Sequence, residues 1–433
     1  MSPEFMGLAG FALMIILILF NINVAFILIF LGFTGLALII GIGPAFRSLS
    51  IITFERASHY EFAVVPLFLL MGTIVSKSNI GKEAYGMARA WIGQFRGGLA
   101  MATSVACGVF AACCGSSLAG AMAMGEIAFP EMKKQNYSNS LSAGVIAAGG
   151  TLGLMIPPSI GFVLIGILAH LSIGKLFIAG IIPGLICVAT YVLTIYILCR
   201  INPQLGPQSP KRTVKEKVAS LVYTWPVILL FVLVIGGIYG GVFTPTEAGG
   251  IGAFGALVIS LFRKQINGSG FYETLINTAN ISAMMLALIF GAFIFNQFLA
   301  VTRVPFIASE WVVSLGYNRY LILFIILGMF IILGCVFDVF AIMVLTIPVI
   351  YPMLIELGFN PIWFSVLMVR VIEIGVCSPP FGMNLFGLVG IIKIPISDLY
   401  RGVLPFLVAD IFNLGLLVAF PSLATFLPDL MIT

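Results

Sequence analysis

Two segments, Gly150-Thr-Leu-Gly-Leu-Met-Ile-Pro-Pro-Ser159 and Ile374-Gly-Val-Cys-Ser-Pro-Pro-Phe-Gly-Met-Asn384, decide the fold. Each sets a proline pair inside an apolar run. Proline has no backbone N–H to donate and its ring collides with the preceding turn, so each pair breaks a helix and frees backbone carbonyls. Pro157 and Pro379 lie 222 residues apart, and the same spacing carries Pro130 onto Pro352 and Ser116 onto Asp338. The breaks and the segments ahead of them recur in register, as two copies of one structural unit.

Ahead of the first break, basic clusters at 77–96 and at Lys133 with Lys134 flank residues 97–131, which are small and apolar apart from Cys113-Cys114-Gly115-Ser116-Ser117. With both clusters on the cytoplasmic side, the segment must enter and return as a re-entrant helical hairpin with its tip at the Gly-Ser-Ser turn. Irregular backbone at that depth is tolerated where protein buries it or a wet cavity meets it. The second copy predicts a hairpin over 320–357, with its turn within Gly334-Cys335-Val336-Phe337-Asp338. By parity it enters from the opposite face. This is an inverted-topology repeat, an arrangement that places solute and ion sites near the midplane between the halves.

The rest of the chain identifies the solvent. Of 433 residues, 61% are hydrophobic and 9% charged, with mean hydropathy +1.17, against roughly a quarter charged in soluble domains. A membrane-spanning helix needs about 20 mostly apolar residues, and runs such as 24–42, 173–198 and 320–336 supply them. The reading is an all-α polytopic membrane protein with about eleven or twelve membrane segments plus the two re-entrant hairpins. The first apolar run, 5–20, lacks a basic start and a small-residue cleavage site, so it reads as a retained helix. The longest polar stretch, 200–217, is a loop, no soluble domain is expected, and without a P-loop motif the chain does not itself hydrolyse ATP.

The net charge of +5 sits in short loops beside apolar segments, which is the pattern of membrane orientation and not of a nucleic-acid surface. Parity places about fifteen basic residues inside and about six outside (Arg47, Arg56, Lys175, Arg303, Arg319, Arg370), with both termini outside. The seven cysteines lie in apolar stretches without metal-ligand spacing and read as packing residues. His59 and His170 are far apart in sequence, so a histidine-based metal or acid–base site has no sequence support.

Carbonyls freed by the breaks can ligate a hard cation, and nearby side chains add oxygens. The candidate sodium ligands, one site per repeat, are Ser116, Ser117, Gly150, Thr151, Gly153 and Pro157 in the first copy. In the second they are Gly334, Asp338, Gly375, Ser378, Pro379, Gly382 and Asn384. The same hydroxyl and small residues also suit helix caps and close helix packing. Helix N-termini created at tips and breaks favour a carboxylate, so the candidate substrate contacts are Ser116, Ser159, Asp338, Arg370 and Asn384.

A charge at membrane depth is costly and is either functional or paired. Arg370 and Glu373, three residues apart, read as an internal ion pair as readily as Arg370 reads as a substrate contact. Asp338, at a hairpin tip, suits ion or substrate binding. Asp410 and Glu126 lie closer to predicted helix ends and read as snorkelling or capping groups. Amphipathic stretches at 45–61 and 305–320 read as interfacial arms along the membrane.

With both proline motifs and both hairpins in view, the chain resembles, over nearly its whole length, the large membrane subunit of tripartite ATP-independent periplasmic (TRAP) transporters. The residues carrying the resemblance are Gly115-Ser116-Ser117, the run Met124-Gly-Glu-Ile-Ala-Phe-Pro-Glu-Met132, residues 150–159, Phe243-Thr-Pro-Thr-Glu-Ala248, and residues 373–386. The resemblance implies an elevator-type secondary importer of organic acids in the bacterial inner membrane, coupled to two or more sodium ions and using no organic cofactor. It also implies a small four-helix membrane subunit, expected here as a separate chain, and a periplasmic solute-binding protein. Threonine often precedes the second proline pair in the family; Ser378 keeps the hydroxyl. Family substrates include C4-dicarboxylates and sialic acids. Overall likeness, and the absence of an obvious pair of membrane arginines, leans toward the sialic acid branch.

The corresponding division is 1–96, scaffold helices and first arm; 97–170, first hairpin and broken helix; 171–319, scaffold, the loop 200–217 and second arm; 320–392, second hairpin and broken helix; and 393–433, a C-terminal scaffold helix. The unit made of hairpins and broken helices is expected to slide against the scaffold, with sodium ordering the hairpin tips before substrate is received. Three readings compete. A self-sufficient sodium-carboxylate symporter of related architecture differs only in needing no partners. An intramembrane enzyme would need Ser-His-Asp or His-Glu-x-x-His spacing, which the sequence lacks. A passive scaffold subunit would leave the helix breaks, which cost backbone hydrogen bonds, without purpose.

Overall fold

The structure is a computed structural model that describes residues 2–20, 22–314 and 316–431, without the side chains of Arg56, Ala57 and Val313. Helices Pro3–Leu19 (α1), Val24–Ile40 (α2) and Ile42–Ser58 (α3) open the chain, and a 3-10 turn leads into Val64–Lys77 (α4) and Ile80–Ile92 (α5). The first hairpin is Gly98–Cys114 (α6) with Ser117–Lys134 (α7), followed by Asn139–Met155 (α8) and Ile160–Ala169 (α9), the two halves of the first broken helix. Ile173–Ile201 (α10) leads to Val214–Phe231 (α11), which runs through a π-helical turn into Gly237–Tyr239 (α12), then Pro245–Phe262 (α13), Gly268–Thr302 (α14) and Val304–Ser314 (α15). The second hairpin is Arg319–Val336 (α16) with Val339–Glu356 (α17), and the second broken helix is Pro361–Val376 (α18) with Met383–Ile392 (α19). Ile396–Ala419 (α20) and Ser422–Asp429 (α21) close the chain.

Among the described residues eight helices are long and apolar enough to cross a membrane, or nine if α8 and α9, bent by 40°, form one broken span. The sequence reading of eleven or twelve segments also included shorter apolar helices, such as α1 and α2, that stop below 18 residues. Both hairpins form where the sequence places them, with small shifts. The first turn is Gly115-Ser116, and Ser117 already opens α7. Gly334 belongs to α16, and the second turn is Phe337-Asp338.

Local chemistry explains each turn. Gly115 sits at φ 65, a left-handed conformation that ends α6 at no steric cost to glycine. Ser116 then caps α7 by accepting from the Ala119 N–H, and Asp338 caps α17 by accepting from the Phe340 and Ala341 N–H groups at 2.9 and 3.2 Å. Serine and aspartate stand 222 residues apart and do the same job. The breaks restart differently: Ser159 caps α9, whereas α19 begins after Gly382, at φ 68, with no side-chain cap.

The helices pack in two sets of contacts, which α5 on α6, α4 on α6 and α14 on α17 join to each other. In the first, α2 runs along α14, α13 and α14 pack on α4, and α11 lies on α5. In the second, α8 contacts α6, α7, α10 and α20, while α18 contacts α16, α10 and α20. Lipid gives apolar helices no hydrophobic reason to associate, so contact depends on close backbone approach and buried polar links. The α16–α18 contact shows this at Gly334 and Gly375, where a Cβ on Gly334 would lie 2.8 Å from the Gly375 Cα. The second arm, α15, lies on α17 of the second hairpin, with Ser309 hydrogen-bonded to Glu356. The polar loop after α10 closes the base of the first hairpin: the Gly97 N–H donates to Gly206 O at 2.8 Å, and the Tyr137 hydroxyl donates to Pro207 O at 2.8 Å.

Gly375→Ala is expected to destabilise the chain by about 1–3 kcal/mol, because the added methyl meets backbone that cannot move aside. Gly328→Ala, on the facing helix α16 with open space around it, serves as the control. Unfolding temperatures in detergent should fall for the first and stay level for the second.

Candidate functional site

Each hairpin tip rests on the helix break of its own repeat. At the first, the Ile160 N–H donates to Gly115 O at 3.4 Å. A Cβ on Gly153 would lie 2.6 Å from the Ser116 carbonyl oxygen, and one on Gly150 would lie 2.9 Å from the Ser117 carbonyl oxygen. Ser116, Ser117, Gly150 and Gly153 are therefore brought together next to the proline pair, where a Cβ on Gly115 would lie 3.0 Å from Pro158 O. Ser159 stands just past the break, buried, with its hydroxyl donating to Leu154 O at 2.6 Å. At the second, Gly334 meets Gly375, and the Cys335 thiol reaches Pro379 O at 3.8 Å. The Ser378 hydroxyl donates to Ile374 O at 2.6 Å, and Asn384, also buried, turns its amide toward the Cys377 sulfur at 3.9 Å.

The two repeats also clasp each other. The Ser117 hydroxyl donates to Glu373, so the start of α7 is joined to α18. The Cys377 thiol lies 3.7 Å from Ala147 O on α8. In the same way α19 packs on the first hairpin and α17 of the second hairpin packs on α9. This reciprocity is what a pair of units related by a pseudo-twofold axis requires. Beside the second tip, a cavity of about 560 Å³ separates Val336, Phe337 and Asp338 from Asn23 of the α1–α2 connection and from Met285 and Leu288 of α14.

The charged residues depart from the sequence reading. Arg370 does not pair with Glu373, three residues on: it forms a buried ion pair with Asp410 of α20, and Glu373 faces α7. Both positions lie inside α18, which protein covers on every side, so a 60° difference around the helix is enough to give them different neighbours. Asp410 is not a capping or snorkelling residue. It lies mid-way along α20, 1% exposed, beside Arg370 at 0%. Glu126, by contrast, is exposed.

Tyr191 of α10 extends this pair. Its hydroxyl accepts from Arg370 at 3.2 Å and bonds to Thr151 at 3.1 Å, and the Arg370 guanidinium lies over its ring at 5.8 Å. Thr151 thus turns away from the hairpin tip and joins a chain running from α8 through α10 to α18 and α20. Its own hydrogen goes to Ala148 O at 2.6 Å. Sequence inspection missed Asp410 and Tyr191 as partners because they lie 40 and 179 residues from Arg370. The available signal was the arginine itself, which at that depth demanded a carboxylate.

Removing one member of a buried ion pair leaves an uncompensated charge and costs about 3–5 kcal/mol, whereas replacing both by apolar groups is close to neutral. Asp410→Leu is therefore expected to abolish a stable fold, and the double variant Arg370→Met with Asp410→Leu to recover much of it. Monodispersity and unfolding temperature in detergent measure both.

Residues 11–423 match the family model described as "Tripartite ATP-independent periplasmic transporter, DctM component". The C4-dicarboxylate TRAP transporter large permease protein of Pseudomonas aeruginosa is 34% identical, covering 92% of this chain and 93% of that protein. The sialic acid TRAP transporter large permease protein of Vibrio cholerae is 29% identical, covering 94% and 95%. Among solved structures, the Alcanivorax borkumensis YdaH transporter shares the fold with a TM-score of 0.66 over 89% of both chains at 16% identity. The hairpins, the broken helices and these matches together place the chain in the DctM family, as the large permease component of a tripartite ATP-independent periplasmic transporter.

Proposed function

We propose that this chain is the large transmembrane subunit of a sodium-coupled importer that carries an organic acid, of the sialic acid or C4-dicarboxylate type, across a bacterial inner membrane. A periplasmic binding protein would deliver the substrate, and a small four-helix subunit would complete the membrane complex. The observation that carries this reading is the reciprocal seating of two hairpin tips on two broken helices. It gathers interrupted backbone and side-chain oxygens at two related points inside the protein. The greater similarity to the permease named for C4-dicarboxylates removes the argument from likeness for the sialic acid branch.

The donor set suits sodium. Hydroxyls that donate to carbonyls, as those of Ser159 and Ser378 do, keep oxygen lone pairs to present to a cation. Ser116, Ser117, Gly150 and Gly153 would hold the ion of the first repeat, and Gly334, Asp338, Gly375, Ser378 and Asn384 that of the second. Thr151 is the weaker member, because Tyr191 occupies its oxygen. The ion supplies positive charge that lets a carboxylate approach a tip. The cavity beside Asp338 lies within the roughly 300–1,000 Å³ range of small-ligand sites.

In this proposal the moving unit contains more of the chain than the division by sequence order gave it. The Arg370–Asp410 pair and the Tyr191–Thr151 bond tie α10 and α20 to both broken helices. These two helices would travel with the hairpins, while α2, α4, α13 and α14 form the frame.

Proteoliposomes holding this chain, its small subunit and the binding protein, under an inward sodium gradient, test the reading with radiolabelled sialic acid and succinate in parallel. Uptake of one of them that needs all three proteins and sodium is expected; uptake by this chain alone would replace the tripartite reading with that of a self-sufficient symporter. Ser116→Ala with Asp338→Ala should raise the sodium concentration for half-maximal uptake by about tenfold, equivalent to roughly 1.4 kcal/mol. An unchanged sodium dependence would remove the hairpin tips from the ion sites.

A further inference from the structure

Among the described residues three charged side chains are fully buried, Arg370, Glu373 and Asp410. Ionised together, they carry one negative charge in excess. Arg370 forms its ion pair with Asp410 and none with Glu373. Glu373 accepts the Ser117 hydroxyl on Oε1, and its Oε2 has no hydrogen-bond partner. Arg370 is engaged by Asp410, and a buried carboxylate with one empty oxygen and no ion-pair partner of its own is among the costliest arrangements a protein interior can hold. What is missing is one unit of positive charge, at a point reached by an anionic oxygen and a hydroxyl oxygen.

We propose that Glu373 and Ser117 hold a sodium ion between the repeats, with Glu373 as its charged ligand. The proposal rests on the sodium-coupled reading and extends its first-repeat site, through Ser117, to Glu373, which belongs to neither tip cluster. A monovalent cation fits because the excess is a single charge. Ser117 opens α7 of the first hairpin and Glu373 lies on α18 of the second broken helix. An ion held by both fastens one repeat's hairpin to the other repeat's core. Without the ion, the uncompensated carboxylate weakens that contact and favours release of the hairpin, so occupancy of one site is felt by both halves.

The test uses the purified full chain in nanodiscs, its unfolding temperature followed as sodium chloride replaces choline chloride at constant ionic strength. Wild type should be stabilised by sodium. Glu373→Gln keeps the side chain's shape and its bond to Ser117 but removes the charge. It is expected to equal or exceed wild type in choline and to need about tenfold more sodium, or more, for the same response. Glu373→Asp, which restores the charge, should regain part of the sodium response. If Glu373→Gln responds to sodium as wild type does, a proton balances Glu373 and the assignment falls. Equal loss of stability in both salts would reduce Glu373 to a hydrogen-bonding role and overturn it as well. A wild type indifferent to sodium would overturn this inference and the sodium-coupled reading together.

Discussion

A backbone carbonyl freed in a low-dielectric interior must find a partner, and that constraint organises this molecule. Two proline pairs interrupt helices in the middle of the protein, where water is not freely available to repair the damage. Part of the repair is local, the Ser159 hydroxyl donating to Leu154 O, and part comes from elsewhere in the chain: a hairpin turn seats itself on each break, and the Ile160 N–H at the restart of α9 donates to Gly115 O across the junction. Such seating demands close approach, hence the glycines at 153, 334 and 375, where any side chain would strike backbone. Hairpins, small residues and breaks are one solution to one problem, used twice.

Polar groups drawn into that interior are subject to the same accounting. Arg370 is tolerable because Asp410 lies against it and Tyr191 shares its charge. The chain from Thr151 to Asp410 crosses four helices and links both broken helices to α10 and α20. Arg370 Nε and Nη1 and Glu373 Oε2 all lack hydrogen-bond partners, but Arg370 has Asp410 as its ion pair, so Glu373 is the member whose charge the protein alone does not balance. A transporter has reason to leave such a balance open, since the missing charge can then be a ligand whose arrival changes the stability of a mobile contact.

Much of this was legible in the sequence because proline and glycine act locally. The proline pairs, the hairpin turns, the capping serine and aspartate, and the spacing that relates them follow from residue chemistry within a few positions. The partners of buried charge were not legible in that way. Periodicity put Arg370 and Glu373 on one face of α18, a sound inference for a helix with one wet side and one dry side. A helix buried all round has no such face, and long-range packing decides which neighbour each residue meets. Asp410 was misread for a related reason: its α20 runs straight through from Ile396 to Ala419, with no end near it to cap. Grouping helices by chain order likewise gave no hint that α10 and α20 pack on the broken helices.

The central claim is that the two hairpin tips are mobile elements ordered together by sodium on a rigid core of broken helices. Hydrogen–deuterium exchange on the chain in nanodiscs, with sodium and with choline, tests it most directly. The account predicts slower exchange in sodium at both turns, around residues 113–120 and 334–342, with the buried lengths of α8 and α18 protected in either salt. Exchange that is unchanged at both turns, or sodium protection confined to α2, α4, α13 and α14, would contradict it.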